Sequence, residues 1–177
     1  MRILAISAFC LALVAAPAPG AETDELKPGD EAPAFSLKGS DGRTYKLEDF
    51  KVKQVVVLAW FLKAFTGGCT KEYISFRKDG DTMRAFGAAY FTASVDPVEK
   101  NTEFAKSLKT DYPILSDPKG QVARAYGVVD DERKVPRRWT FLIGTDGKIL
   151  QIDKEVTCET HALDVAAHLG KLGVPKK

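Results

Sequence analysis

At 177 residues, with 45% hydrophobic and 28% charged side chains, the chain has apolar material for one well-packed domain under an ordinary solvated surface. The formal net charge is only +2. Lys and Arg are interleaved with Asp and Glu, which excludes the basic stripe that nucleic-acid binding requires.

The first element in chain order is not part of the fold. MRILAISAFCLALVAAPAPGAET combines one Arg, an apolar run from Ile3 to Ala16 and a tail of small residues. That pattern predicts a secretory signal peptide over residues 1–20, cleaved after Gly20 or Ala21, and a periplasmic or secreted product. The apolar run is too short for a membrane anchor. Cys10 follows Phe9 inside that run, where a lipid-attachment cysteine would follow a small residue. Loss of the leader leaves Cys69 and Cys158, with no CxxC pair and therefore neither a zinc knuckle nor a thioredoxin-type dithiol.

Residues 21–177 read as one α/β domain. Ala34–Leu37 and Arg43–Lys46 flank Ser40-Asp41-Gly42, the signature of a short hairpin. Gln54 to Leu62 is a near-continuous apolar run, as expected for a central strand buried on both faces. A helix follows Cys69, broken near Gly80, with Tyr73, Phe76, Met83 and Phe86 at roughly helical spacing. Ala89–Ser94 is the next strand. Asp96-Pro97 opens a helix that runs to about Lys109, with Asp as N-cap and Pro at the first helical position. Ile114–Leu115 is a short strand and Val122 to Tyr126 a short helix. Thr140–Ile143 and Ile149–Asp153 are strands joined by Thr145-Asp146-Gly147. A last helix spans about Thr160 to Leu172, with Leu163, Ala166, Ala167 and Leu169 on its core face. The alternation predicts a thioredoxin-like fold, a central mixed sheet flanked by helices with an N-terminal β-hairpin extension.

The chemistry concentrates in WFLKAFTGGCTKE, Trp60 to Glu72. A thiol reacts as its thiolate, and a free cysteine with a pKa of about 8.5 is only roughly 3% ionised at neutral pH. Cys69 falls where a buried strand gives way to a helix. The free N–H groups and dipole of that helix start favour an anion. Gly67 and Gly68 allow close backbone approach, Thr66 offers a hydroxyl, and the carboxyl end of a strand is where sites in such sheets lie. Arg138 stands immediately before strand Thr140–Ile143, and Glu72 lies one turn into the helix. Taken singly, each is an ordinary feature: a buried apolar thiol, a solvated Arg, a polar helix position. Their combination points to a reactive thiol.

At these residues the chain resembles the peroxiredoxins, thiol peroxidases of the thioredoxin superfamily. The nearest subgroup is the bacterioferritin-comigratory, or Q-type. The likeness runs from GDEAPAFSLKGSDGRTYKL through VVVLAWFLKAFTGGCTKE, SVDPVEKNTEFAK and YPILSDPKGQVARAYGV to RRWTFLIGTDGKI. The family motif Pro-x-x-x-Thr/Ser-x-x-Cys reads here as Leu62-Lys63-Ala64-Phe65-Thr66-Gly67-Gly68-Cys69. The resemblance implies Cys69 as peroxidatic nucleophile, Thr66 as hydrogen-bond donor to the peroxide, Arg138 as stabiliser of thiolate and O–O bond, and Glu72 as the carboxylate orienting that Arg. It also implies a peroxide substrate, a thioredoxin-like or small-thiol reductant, and no metal or organic cofactor. A homodimer is compatible with the sequence. Leu62 replaces the motif proline, which helps shape the thiol pocket. Ile74 stands where the subgroup often has its resolving cysteine. Trp139 replaces a usually small residue and is expected to pack over the pocket.

Cys158 is the remaining candidate for resolution. If Arg138 reaches Cys69, strand Thr140–Ile143 is antiparallel to Gln54–Leu62, and the hairpin returns Ile149–Asp153 parallel to it. Cys158 then follows the active-site edge by roughly 17 Å of extended chain. Such a placement resembles the atypical two-cysteine peroxiredoxins; the alternatives for Cys158 are a one-cysteine enzyme in which it is idle and an external thiol resolves, and a permanent structural disulfide, which would leave no free nucleophile. Two other readings stand beside the peroxidase: an exported thiol–disulfide oxidoreductase or metallochaperone of the same fold, and a non-catalytic binding protein on a peroxidase scaffold. The first would need a second cysteine at Thr66. The second is suggested by Leu62 and opposed by the joint presence of Thr66, Cys69, Glu72 and Arg138. Cys158 with His161 supplies too few metal ligands, and His161 reads as a polar helix start. Expression in a Gram-negative host tests the leader: the chain should lose about 20 residues at the N-terminus and be recovered outside the cytoplasm. Full-length protein retained in the cytosol would refute it.

Overall fold

The structure, a computed structural model, describes residues 25–177, so the leader expected at residues 1–20 lies outside it. The strands are β1 (Ser36–Gly39), β2 (Thr44–Lys46), β3 (Val56–Trp60), β4 (Ala89–Ser94), β5 (Ile114–Ser116), β6 (Thr140–Ile143) and β7 (Ile149–Asp153). The helices are α1 (Gly67–Arg84), α2 (Val98–Leu108), α3 (Gln121–Ala125) and α4 (His161–Lys171). The strands form one mixed sheet in the order β2-β1-β5-β4-β3-β6-β7. This is the thioredoxin-like arrangement that the alternation of elements predicts.

β3 is central because all five of its residues are buried. Its alternating side chains feed two cores, as a period of two requires. Val57 and Ala59 join Tyr73 and Phe76 of α1, Phe104 of α2, and Val165 and Leu169 of α4 on one face. Val56, Leu58 and Trp60 join Phe35, Leu47, Ala123 and Tyr126 on the other. β4 runs parallel to β3, and β6 antiparallel to it with Ala59 opposite Thr140. β7 pairs antiparallel with β6. β7 therefore runs in the direction of β3, and both end on one edge of the sheet. β1 pairs with β5 (Lys38 opposite Ser116), so the N-terminal hairpin extends the main sheet itself.

Three local expectations are corrected. α1 passes through Gly80 unbroken. A Cβ at Gly80 would approach Tyr90 Oη to 3.0 Å, so the glycine serves close packing and not helix termination. α2 starts at Val98 with Pro97 as N-cap, and no side-chain cap bond forms. The Asp96 carboxylate instead accepts the Ala64 N–H at 2.8 Å and pairs with Lys100 at 2.7 Å. The core face of α4 is also rotated from that expected. Ala162, Val165 and Leu169 are buried and Ala166 packs at the margin, whereas Leu163 is 45% exposed and Ala167 faces solvent. The reason is His161: its side chain is buried in the site, and that anchors the helix with Ala162, not Leu163, facing inward.

Truncating a side chain on each face checks the corrected orientation. Leu169→Ala should cost about 2–5 kcal/mol, while Leu163→Ala should stay within about 0.5 kcal/mol of wild type. Urea unfolding with an unchanged denaturant slope is the measurement.

Candidate active site

β3 ends at Trp60, the chain turns through residues 61–66, and α1 begins, placing Cys69 in its first turn with the sulfur fully buried. Two anchors shape the turn. Asp96, beyond the end of β4, holds the Ala64 N–H. Phe65 adopts φ 66°, a left-handed backbone that a bulky residue enters only under constraint, and its ring lies 4.9 Å from that of Phe104. Neither anchor was evident in the sequence. Leu62 is partly buried against the α1 core in place of the motif proline.

The antiparallel β3–β6 pairing delivers Arg138 to the same spot. The Trp60 N–H donates to the Trp139 carbonyl at 2.8 Å, so the residue before Trp139 stands over the start of α1. Arg138 Nη2 donates to Cys69 Sγ at 3.3 Å, and Nη1 donates to Glu72 Oε2. Glu72 follows Cys69 by three positions, and residues so spaced share a helix face. Its carboxylate is completely buried. Thr66 is the N-cap of α1 without a capping bond, and its hydroxyl donates to the Lys63 carbonyl at 3.0 Å. A hydroxyl has one proton and serves one acceptor at a time, so its turn toward the sulfur exchanges one bond for the other.

Burial is the largest influence on the Cys69 thiol and raises its pKa, but the backbone of Lys63, the Thr66 hydroxyl and the Arg138 guanidinium together outweigh it. The net effect is a thiol that ionises below its ordinary range. The sequence expectation of helix start plus Arg is thus extended: desolvation opposes ionisation, and hydrogen bonds to the sulfur overcome it.

Cys158 lies in the loop between β7 and α4, half-buried and unbonded. A Cβ on Gly68 would lie 3.9 Å from Cys158 Sγ and 3.4 Å from Arg138 Nη2. Gly68 adjoins Cys69, so the second thiol flanks the first turn of α1, as the strand directions predict. A Lys71–Glu159 ion pair at 2.9 Å ties its loop to that helix. Trp139 is not over the pocket. It packs at the margin of the opposite core, with Lys154 Nζ 4.5 Å and the Arg137 guanidinium 5.5 Å from its ring centroid.

The residue whose part in the site the sequence did not reveal is His161. It does open α4 as a polar helix start, but it is fully buried, with Nδ1 2.9 Å from Glu72 Oε1 and Nε2 2.8 Å from Thr140 Oγ1. Both ring nitrogens are thereby occupied, which also removes it from any metal pair with Cys158. Nothing in local spacing marks it, because Glu72 and His161 meet only through the packing of α1 on α4.

A mixed sheet carrying one buried, activated cysteine at the start of the helix after its central strand defines a thiol enzyme on the thioredoxin fold. The AhpC/TSA family pattern matches residues 28–152. The peroxiredoxin Bcp of Escherichia coli strain K12 is 33% identical over 142 residues, 77% of this chain and 90% of that protein. Among solved structures, the peroxidoxin BcpB of Mycobacterium tuberculosis is 35% identical with a TM-score of 0.75, covering 82% of this chain and 97% of its own. The peroxiredoxin Q of Xanthomonas campestris is 25% identical with a TM-score of 0.72, covering 77% and 90%. The chain belongs to the AhpC/TSA family and is an enzyme of the peroxiredoxin class, a thiol peroxidase.

The pH dependence of Cys69 alkylation tests the electrostatics. Its midpoint should fall below the ordinary cysteine value and rise in Arg138→Ala. The linkage sign follows, since a lowered folded-state pKa stabilises the fold above that pKa and the advantage is lost as pH falls through it. Relative to Cys69→Ser, wild type should therefore gain stability as the pH is raised toward the ordinary thiol value. A difference between the two that does not change with pH would refute the lowered pKa.

Proposed function

We propose that this chain is an exported peroxidase that reduces hydrogen peroxide or organic hydroperoxides with Cys69 as nucleophile and Cys158 as resolving thiol. The observation that carries the reading is the convergence on one helix turn of Arg138, 3.3 Å from the Cys69 sulfur, and the Cys158 thiol beside Gly68. The signal-like sequence of residues 1–20 supports export to the periplasm or beyond.

The Cys69 thiolate attacks one peroxide oxygen in line. The O–O bond breaks, and its electron pair leaves on the distal oxygen, which takes up a proton as water or alcohol. Charge on that oxygen grows in the transition state and is stabilised by Arg138, which already faces the sulfur, and by the Thr66 hydroxyl once it turns from the Lys63 carbonyl. Glu72 orients Arg138. Cys69 is left as a sulfenic acid. The Cys158 thiolate then attacks that sulfur and hydroxide leaves, protonated to water, forming a Cys69–Cys158 disulfide. A dithiol of thioredoxin type, or two small thiols, returns both cysteines to the reduced state and is itself oxidised. Leu62 lacks the rigid ring of the motif proline. In this reading the Asp96–Ala64 bond and the contact of the half-exposed Phe65 ring with Phe104 hold the turn in its stead.

One equivalent of hydrogen peroxide should consume both thiols and lower the intact mass by two hydrogens. Cys158→Ser should stop at a sulfenic acid on Cys69, and Cys69→Ser should leave peroxide untouched. Arg138→Ala should slow the reaction by about 100- to 1000-fold, the usual cost of losing one charge-stabilising donor. Sulfenic or sulfinic acid at Cys69 in wild type, with Cys158 still alkylatable, would assign resolution to an external thiol.

A further inference from the structure

Glu72 is a carboxylate with no exposure to water, and Arg138 accounts for only one of its oxygens. Such a group is held inside a protein only when its other lone pairs are satisfied. The other oxygen, Oε1, faces His161 Nδ1 at 2.9 Å. An ionised carboxylate only accepts hydrogen bonds, so Nδ1 carries the proton. His161 is neutral because burial lowers its pKa to about 4, with the Arg138 charge adding to the effect and Asp153 and Asp164 opposing it. A neutral ring protonated at Nδ1 has a bare Nε2, so the Thr140 hydroxyl, 2.8 Å away, is the donor there. The imidazole is fixed further by the Phe76 ring, edge-on at 4.7 Å between centroids, and by the Ala162 N–H donating to Ser75 Oγ at 3.1 Å.

We propose that His161 is a positioning residue for peroxide reduction: its Nδ1–H clamps Glu72, and Glu72 thereby sets the Arg138 guanidinium against the Cys69 sulfur. The proposal rests on the peroxidase reading above and deepens it. The chain of contacts runs Thr140–His161–Glu72–Arg138–Cys69 and joins β6, α4 and α1. Each link has one polarity only. Arg138 must donate to Glu72, Glu72 must accept from both neighbours and so selects the His161 tautomer, and the Thr140 hydroxyl, able to donate or accept, donates to the bare Nε2. Without the clamp, Glu72 can rotate about its side-chain torsions to satisfy Oε1, and the guanidinium follows it off the sulfur. Loss of the His161 contact is therefore felt at Cys69 through two intervening side chains, with no contact between the imidazole and substrate.

Three measurements on the full chain test the clamp. In ¹⁵N-labelled wild type at neutral pH, the His161 ring should show a proton on Nδ1 and none on Nε2, the reverse of the tautomer that free histidine prefers. His161→Leu should raise the Cys69 thiol pKa and lower the rate constant for peroxide by about tenfold, the low end of the loss seen when an outer partner of a metal ligand is removed. His161→Asn carries an N–H at the position of Nδ1 and should recover most of that loss. A folded His161→Leu protein with the wild-type thiol pKa and rate would overturn the clamp, as would equal impairment in the Leu and Asn variants. If His161→Leu does not fold, an Nε2-protonated ring in wild type overturns it alone. Wild type that consumes no peroxide while its thiol pKa still responds to His161→Leu would sink the peroxidase reading and leave the clamp standing.

Discussion

A single buried carboxylate organises this molecule's chemistry. Glu72 touches no solvent and yet carries the charge that faces Arg138. Stripping one partner from such a pair costs about 3–5 kcal/mol, so the fold must deliver its partners reliably. It does so from two separate regions: the residue before β6 supplies Arg138, and the first residue of α4 supplies His161. The packing of α4 on α1 and of β6 on β3 is thus tied to one electrostatic requirement. The same requirement fixes the orientation of α4, which presents Ala162 and Val165 to the core and leaves Leu163 outside.

Strand direction does the rest of the assembly. Because β6 is antiparallel to β3, its start lies beside the end of β3, where α1 begins. Because β7 reverses again, the chain after it comes back to that edge with Cys158. Two thiols far apart in sequence thus come to the same turn of α1 without any long excursion of chain. The Lys71–Glu159 pair that tethers the Cys158 loop is solvent-exposed, and an exposed pair of this kind contributes only about 0–1 kcal/mol. It guides the loop toward α1 without locking it there.

The turn between β3 and α1 shows how a site tolerates loss of a rigid residue. Leu62 cannot restrict the backbone as a proline ring does. Its neighbours supply the restriction by other means: a buried Asp96 carboxylate on the Ala64 N–H, and a left-handed Phe65 held by its contact with Phe104. Asp96 is available for that role because it does not cap α2.

The amino-acid sequence by itself determined the strands, the central place of β3, the position of Cys69 at a helix start and the alignment of Glu72 one turn later. These follow from periodicity, buried apolar runs and helical spacing, which are properties of neighbours in the chain. It also pointed to Arg138 through the family resemblance and, granted that Arg138 reaches Cys69, to Cys158 through strand directions, since hairpin geometry carries over several elements. The continuity of α1 through Gly80 and the inward face of α4 were decided by tertiary contacts: the close approach of Tyr90 and the burial of His161. The role of His161 was illegible for the same reason. An imidazole at the start of an amphipathic helix looks polar and solvated until a carboxylate from another helix is packed against it, and only the folded chain brings the two within 2.9 Å.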